Sequence, residues 1–299
     1  MSKNKKISRV DQLLEMAWNT TSPSRAISVA KQILEISPGN TDALIIIADN
    51  TDDSEQRIGI LNQALDSLEG NEEYSPENKE LMRLTICERI AYTYFSLNKF
   101  DESLSYCEKS IGIIESVSDP DALENYDDMK ALYYRILIER GEWQKILAET
   151  MRDETHNLAW AYSRLAAAWM TSPGNTQAVC ANMFWDAVAI APEVPFYMLG
   201  YLEEPGDDSD SQEHEEFGFA LMYYDILSVS EDFFHWFTRG AILFGLLTNR
   251  FDGREREYVL DVIDTLGGYE EYERMSGIIV EGDDRAVIEM LAANKCLSE

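Results

Sequence analysis

The chain has 299 residues, 45% of them hydrophobic, with a mean hydropathy of −0.29. This excludes disorder by composition and leaves enough chain to bury roughly three quarters of the unfolded surface, in one large core or a repeat array. Fifty-five acids against 25 bases give a net charge of −30, which disfavours free nucleic acid as a partner and favours basic proteins or peptides, unless the charge serves solubility alone.

In chain order, the first element is a helix pair in "ISRVDQLLEMAWNTTSPSRAISVAKQILEISPGN". Ser22 suits an N-cap with Pro23 at the first helical position, Ala26 and Ala30 form the packing face, and "SPGN" stops the second helix. A second pair, "TDALIIIADNTDDSEQRIGILNQALDSLEG", follows with an acidic turn and a stop at Gly70. The third, "MRLTICERIAYTYFSLNKFDESLSYCEKSIGII", is the clearest. Its first helix carries Ala91 and Tyr94, its turn lies at Asn98, and after Phe100 its second helix carries Ser103, Cys107 and Ser110. Small and aromatic residues at those offsets let antiparallel helices pack closely. The unit resembles the 34-residue tetratricopeptide repeat, with serine at two positions where alanine is usual.

In the fourth pair, "DDMKALYYRILIERGEWQKILAE", Gly141 supplies the turn and Trp143 stands where Phe100 stood, 43 residues on. The connection "VSDPDALENY" is therefore longer than in the standard repeat. The fifth pair is "NLAWAYSRLAAAWM" and "TQAVCANMFWDAVAIAPEVP", joined by "SPGN" at 172–175, with Phe184, Ala187 and Pro192 at the late repeat positions. Pro192 ends the helix because proline cannot continue one. Pro195 then opens a short helix, "PFYMLGYL", with Phe196, Leu199 and Gly200 expected to face the fifth pair and Tyr197 and Leu199 expected to be buried. Pro205 and Gly206 terminate it. An acidic loop and the segment "EEFGFALMYYDILSVSEDFFHWFTRGAIL" follow. Residues 246–299 read as three short helices, "REREYVLDVIDTLGG", "YEEYERMSGIIV" and "DDRAVIEMLAANKC", which would cover the apolar end of the array.

Helix pairs, then Pro192, Val194, Pro195, Tyr197, Leu199 and Gly200, then an acidic loop and a helix ending near Trp236, resemble the suppressor-of-tumorigenicity-seven family and its bacterial relatives. The resemblance covers about residues 7–245, its specific part 155–200. It implies a tetratricopeptide-like fold and brings no established catalytic residues. The expected architecture is thus all-α: a helix-pair solenoid, a right-handed superhelix of about five pairs over 1–206, an acidic loop and aromatic-rich helices over 207–245, and a C-terminal helical cap over 246–299.

Catalytic constellations are sparse. His156, His214 and His235 share no metal-ligand spacing, so no metal or cofactor is expected. His156 reads as a surface residue and His235 as part of a half-buried aromatic cluster. Cys87, Cys107, Cys180 and Cys296 have no CxxC spacing and read as reduced, buried thiols, although a Cys–His nucleophile pair stays open at this level. The loop "EEPGDDSDSQEHEEFG" fails the calcium-loop pattern at the glycine and final glutamate positions. "DTLGGYEEYE" has no preceding strand and is no phosphate loop. The start "MSKNKKISRV" lacks an apolar run after it, and no apolar stretch reaches about 18 residues, so a cytoplasmic protein is expected.

What remains is surface. The first helices of tetratricopeptide pairs line a concave groove. The repeat phase places Asp11, Glu15 and Trp18 there, then Arg89 and Tyr92, Arg135, and Trp160 and Arg164. Arginines and aromatics dominate interface energetics, and such a face would suit an acidic or C-terminal carboxylate peptide. The competing reading pairs these arginines with acids such as Glu88 and Glu139. A second feature is the stretch between Arg164 and Arg239, with 13 acids and no Lys or Arg; Asp207, Asp208, Asp210, Glu213, Glu215 and Glu216 form its acidic loop. The expected function is a non-catalytic scaffold or adaptor holding a protein or peptide in its groove. The alternative is an acidic decoy occupying the basic, nucleic-acid-binding surface of another protein.

Overall fold

The structure is a computed structural model that describes residues 8–70, 74–117, 126–152, 156–172, 176–206, 208–278 and 283–298. Among them are sixteen α-helices, one 3-10 helix and no strand. They fall into two compact units, 1–136 and 137–299. The divisions expected at 206/207 and 245/246 both fall within the second unit. The "VSDPDALENY" connection at 118–125 and the "SPGN" turn at 173–175 lie largely outside the described residues.

The first unit holds α1 (Arg9–Trp18), α2 (Pro23–Ile36), α3 (Thr41–Asp49), α4 (Ser54–Gly70), α5 (Pro76–Ser96), α6 (Phe100–Ser116) and most of α7 (Tyr126–Glu139). Each of the first five helices packs on the next in sequence. The ends are set locally. Ser8 and Asp11 close a reciprocal capping box on α1, Asn40 accepts from Ala43 N–H at 2.9 Å, and Asn98 takes the left-handed conformation (φ 56°) in the turn before α6. Pro23 is the first residue of α2, although the Ser22 hydroxyl meets Ser24 rather than the helix N–H groups.

The seams are made by small residues between aliphatic ones. One cluster gathers Leu13, Ala17, Ala26, Ala30, Ile33 and Ile46; the next gathers Leu44, Ala48, Leu61, Ala64, Leu68 and Ile90. Each fully buried Leu or Ile contributes about 1.5–3 kcal/mol, and the alanines let the backbones approach so that those side chains interdigitate. The serines of the third pair find acceptors: Ser103 Oγ donates to Ala91 O at 2.8 Å, across to α5, and Ser110 Oγ to Tyr106 O at 3.1 Å. Serine therefore costs little at these packed positions.

The second unit holds α8 (Trp143–Thr150), α9 (Leu158–Thr171), α10 (Thr176–Ile190), α11 (Val194–Leu199), α12 (Ser211–Tyr223), the 3-10 turn Tyr224–Ser228, α13 (Glu231–Leu247), α14 (Gly253–Thr265), α15 (Tyr269–Ser276) and α16 (Asp284–Ala293). Here packing skips along the chain. α13 touches α10, α11, α14, α15 and α16, and α16 returns to α10. The core is aromatic: Phe184, Phe233, Trp236 and Phe237 are buried, with Phe184 5.5 Å from Trp236 and 5.2 Å from Phe237, edge to face. Two glycines on α13 make this possible. A Cβ at Gly245 would lie 2.4 Å from the Phe251 ring and 2.8 Å from Phe196, and one at Gly240 would lie 2.6 Å from Leu297 and 2.7 Å from Phe184.

The segment "APEVPFYMLG" joins these parts. Val194, Pro195, Phe196 and Met198 are buried, and Gly200 ends α11 in the left-handed conformation. Tyr197 and Leu199 are only half-buried, against the expectation of burial. On a single-turn helix the inward face is taken by Phe196 and Met198, and Tyr197 turns to the Phe217 ring at 5.5 Å. Glu193 reaches Arg250 (Oε1 to Nη2, 2.7 Å), which also holds Asp284 (Oδ2 to Nη2, 2.7 Å) and lies 4.7 Å from the centre of the Phe244 ring. One guanidinium thus ties the starts of α11 and α16 to the end of α13.

Candidate partner-binding site

Arg89 on α5 is clamped by Asp49 at the end of α3, Nε to Oδ1 at 2.7 Å and Nη2 to Oδ2 at 3.0 Å. The acid is Asp49 and not the neighbouring Glu88, whose carboxyl is pushed up to about 7, by burial first, with Arg89 opposing and Asp128 adding. Tyr92 is part-exposed and donates to Asp128 O at 3.4 Å. Trp18 ends α1 and is 52% exposed, and Asp11 and Glu15 are exposed. Arg135 is 3% exposed, its guanidinium 5.9 Å from the centre of the Phe95 ring. A side chain so buried offers a partner little surface.

In the second unit Trp160 is buried as well. Its indole N–H donates to Thr150 O at 2.7 Å, His156 stacks on it at 4.4 Å, and Arg164 covers it at 5.0 Å. Arginine and tryptophan at this helical spacing serve each other here, and this internal use is what the repeat phase alone does not reveal.

In the acidic loop Asp208, Asp210, Glu213 and Glu215 are exposed, and Asp210 caps α12 by accepting from Glu213 N–H at 2.9 Å. Asp207 lies outside the described residues. Glu216 is no surface acid: it is buried, accepts from Gln212 at 2.8 Å, and is raised above the usual carboxylate range by burial first and then by Glu193 and other nearby acids. It lies one turn before Ala220 on the buried face of α12, which turns it inward, toward Tyr162.

The four thiols are buried, and burial pushes Cys87 up to about 11 and Cys107, Cys180 and Cys296 up to about 12. Such thiols carry almost no thiolate near neutrality, which is the opposite of an activated nucleophile. His235 is exposed rather than half-buried, because α13 turns Phe233, Trp236 and Phe237 inward. Among the described residues no three His, Cys, Asp or Glu side chains are grouped to hold a metal, and no helix is long and apolar enough to cross a membrane.

Sequence reasoning missed a groove of about 510 Å³ at the start of α13. Met198 of α11 and Leu227 of the 3-10 turn form its floor. Tyr224 and Phe234, 54% and 41% exposed, form its walls, and Asp225 and Glu231 its rim. The walls are rigidly based. Ser230 caps α13 by accepting from Phe233 N–H at 3.0 Å and also receives the Trp169 indole N–H at 3.2 Å. The signal in the sequence was there, in "YYDILSVSEDFF": aromatics and acids alternate without a base, inside the stretch that has none. Chemically the groove can take an apolar side chain from a segment whose flanks are positive, the aromatic walls supplying area at low entropic cost and the rim setting the sign of the partner.

No protein-family model matches the chain, and no curated protein matches it at a significant level.

Proposed function

We propose that this chain is a non-catalytic scaffold that holds a segment of another protein, and that the segment is basic with an apolar anchor. The observation that carries this reading is the groove at the start of α13, where two exposed aromatics stand over an apolar floor with Asp225 and Glu231 at the rim. Charge complementarity selects the occupant: the whole stretch 165–238 contains acids and no base. The arginine face is the weaker candidate, since Arg89 is already clamped and Arg135 and Trp160 are buried.

The finer architecture belongs to the same proposal. Sequential helix pairs with Ser103, Cys107 and Ser110 buried at the repeat offsets support a tetratricopeptide-like, right-handed array, and the return of α16 to α10 supports a terminal cap. Kinship with the suppressor-of-tumorigenicity-seven family rests on Pro192, Val194, Pro195, Tyr197, Leu199 and Gly200. The cytoplasm is the compartment that suits four buried, unpaired thiols.

The test is a calorimetric titration of the full chain with a synthetic amphipathic peptide of lysine and leucine, at low and at high salt. Phe234→Ala should weaken binding by roughly 2 kcal/mol at both salts, as an aromatic anchor does, while Glu231→Gln should flatten the salt dependence. The exposed acids Asp208, Glu213 and Glu215 support the second reading, an acidic decoy for a basic nucleic-acid-binding surface. Binding that disappears in high salt and ignores Phe234→Ala would favour the decoy and remove the groove.

A further inference from the structure

Bases are scarce in this chain, and they are densest at its start. Residues 1–7, "MSKNKKI", carry Lys3, Lys5 and Lys6 and no acid, and after residue 10 no seven-residue stretch holds three bases without an acid. Ile7 stands between Lys5 and Lys6 on one side and Arg9 on the other. These seven residues precede the described ones. α1 begins at Arg9, is capped by Ser8, and packs on α2 and α3. The opposite pattern lies at 165–238, which has 13 acids and no base.

Charge alone selects no site, because acids outnumber bases 55 to 25 along the whole chain. The groove at the start of α13, inside the base-free stretch, adds shape. The exposed rings of Tyr224 and Phe234 stand over Met198 and Leu227, and Glu231 and Asp232 are exposed in the first turn of α13. Those rings present apolar area that the fold itself leaves uncovered. A branched aliphatic side chain flanked by ammonium groups matches both features. It fills the space between the rings, while the cations meet the carboxylates of the helix start and the ring faces.

We infer, resting on the groove proposed above as the partner-binding site, that its occupant is residues 1–7 of a second copy of this chain. Ile7 is the anchor between Tyr224 and Phe234, and Lys5 and Lys6 face Glu231. Reach favours a second copy: Ile7 is two residues from Arg9 and stays within roughly 7 Å of the start of α1, whereas another copy brings its groove to that point. Each copy carries −30, but the Debye length is about 8 Å at physiological ionic strength. Repulsion between the two bodies is therefore screened beyond the contact, while the lysines act inside it. The contact joins two different surfaces, the groove of one copy and the segment of the other, so one intact example of each is enough to form it.

The experiment is sedimentation velocity of the full chain at about 0.01–0.5 mM, a range suited to a contact with one apolar anchor. Association that grows with concentration is expected. Phe234→Ala should weaken it roughly thirtyfold, as loss of an aromatic anchor does, and Lys5→Gln with Lys6→Gln should weaken it roughly tenfold. Removal of residues 1–7, which keeps Ser8 and its capping box, should abolish it. The decisive arm mixes the Phe234→Ala chain with the chain lacking residues 1–7. Each alone should be largely monomeric, and the mixture should form a one-to-one complex through the single intact contact. A full chain that stays monomeric overturns the inference, as does association that survives loss of residues 1–7 or a mixture that fails to associate. If the monomeric chain still binds the lysine–leucine peptide through Phe234, the groove stands and its occupant is a different protein; if it binds neither, the groove reading fails as well. Tighter peptide binding on removal of residues 1–7, without any association of the full chain, would place the segment on its own copy and overturn the assignment to a second one.

Discussion

In residues 8–136 the seams between helices are lined by Ala26, Ala30, Ala43, Ala48, Ala64, Ala91 and Ser103; in the second unit they are lined by Trp169, Phe184, Phe196, Phe233, Trp236 and Phe237. The difference is one of reach. Small residues close a pair by letting two backbones approach, so each helix is satisfied by its chain neighbour. Large aromatics need space and, for tryptophan, an acceptor, and both come from far away. Gly240 and Gly245 make the room, and the carbonyls of Cys296 and Leu297 serve the indoles of Trp185 and Trp236. Small seams thus leave their helices self-contained, while aromatic seams make a unit whose parts depend on one another.

The sharpest way to break this contrast is to remove the guanidinium that crosses the second unit. Arg250→Ala leaves Glu193 and Asp284 facing each other's charge beside Phe244 and Phe196, and should cost about 2–3 kcal/mol, less than a fully buried pair because the guanidinium is largely buried but both carboxylates are more than a third exposed. Denaturant unfolding would show it, and a loss under about 1 kcal/mol would mean that the three helix ends are held by packing alone. Next in size is Gly245→Ala. A methyl group 2.4 Å from Phe251 must displace a ring, at about 1–3 kcal/mol. An Ala at Gly59 in the first unit, where nothing lies near, should instead stabilise slightly by helix propensity.

Glu88 gives the first unit a pH signature. Its folded value, about 7, lies above the ordinary 4.5, so the folded state holds this proton to higher pH than the unfolded chain does. Stability from this group is complete below about 4.5 and is lost as pH rises through 7. Glu88→Gln should therefore match wild type near pH 4 and exceed it near pH 8, by about 1–2 kcal/mol once partial exposure is allowed for. Chemical denaturation at the two pH values checks the sign. The smallest effect is expected at Arg89→Ala: a clamp whose side chains are both about a third exposed contributes about 1 kcal/mol or less, well under Arg250.

The same contrast explains what could be read from the sequence. Turn signals are local, so Pro23, Asn98 and Gly141 marked the helix pairs, and alanine and serine spacing marked their seams. The Glu193–Arg250 contact spans 57 residues and Arg250–Asp284 spans 34, and no spacing rule connects them. The candidate arginine face suffered from the same blindness. Trp160 and Arg164 lie one turn apart in the sequence, but their mutual stacking and the burial of Arg135 depend on neighbours that periodicity does not specify. The groove at the start of α13 needed α11 and the 3-10 turn brought together, and only its charge was visible beforehand.

The most direct test of the proposed function is hydrogen exchange of the full chain with and without the lysine–leucine peptide. Slower exchange is expected at residues 224–235 and around Met198, with the first unit unchanged. Protection centred instead on Trp18, Arg89 and Tyr92, with none at 224–235, would contradict the groove and return the binding face to the helix pairs of the first unit.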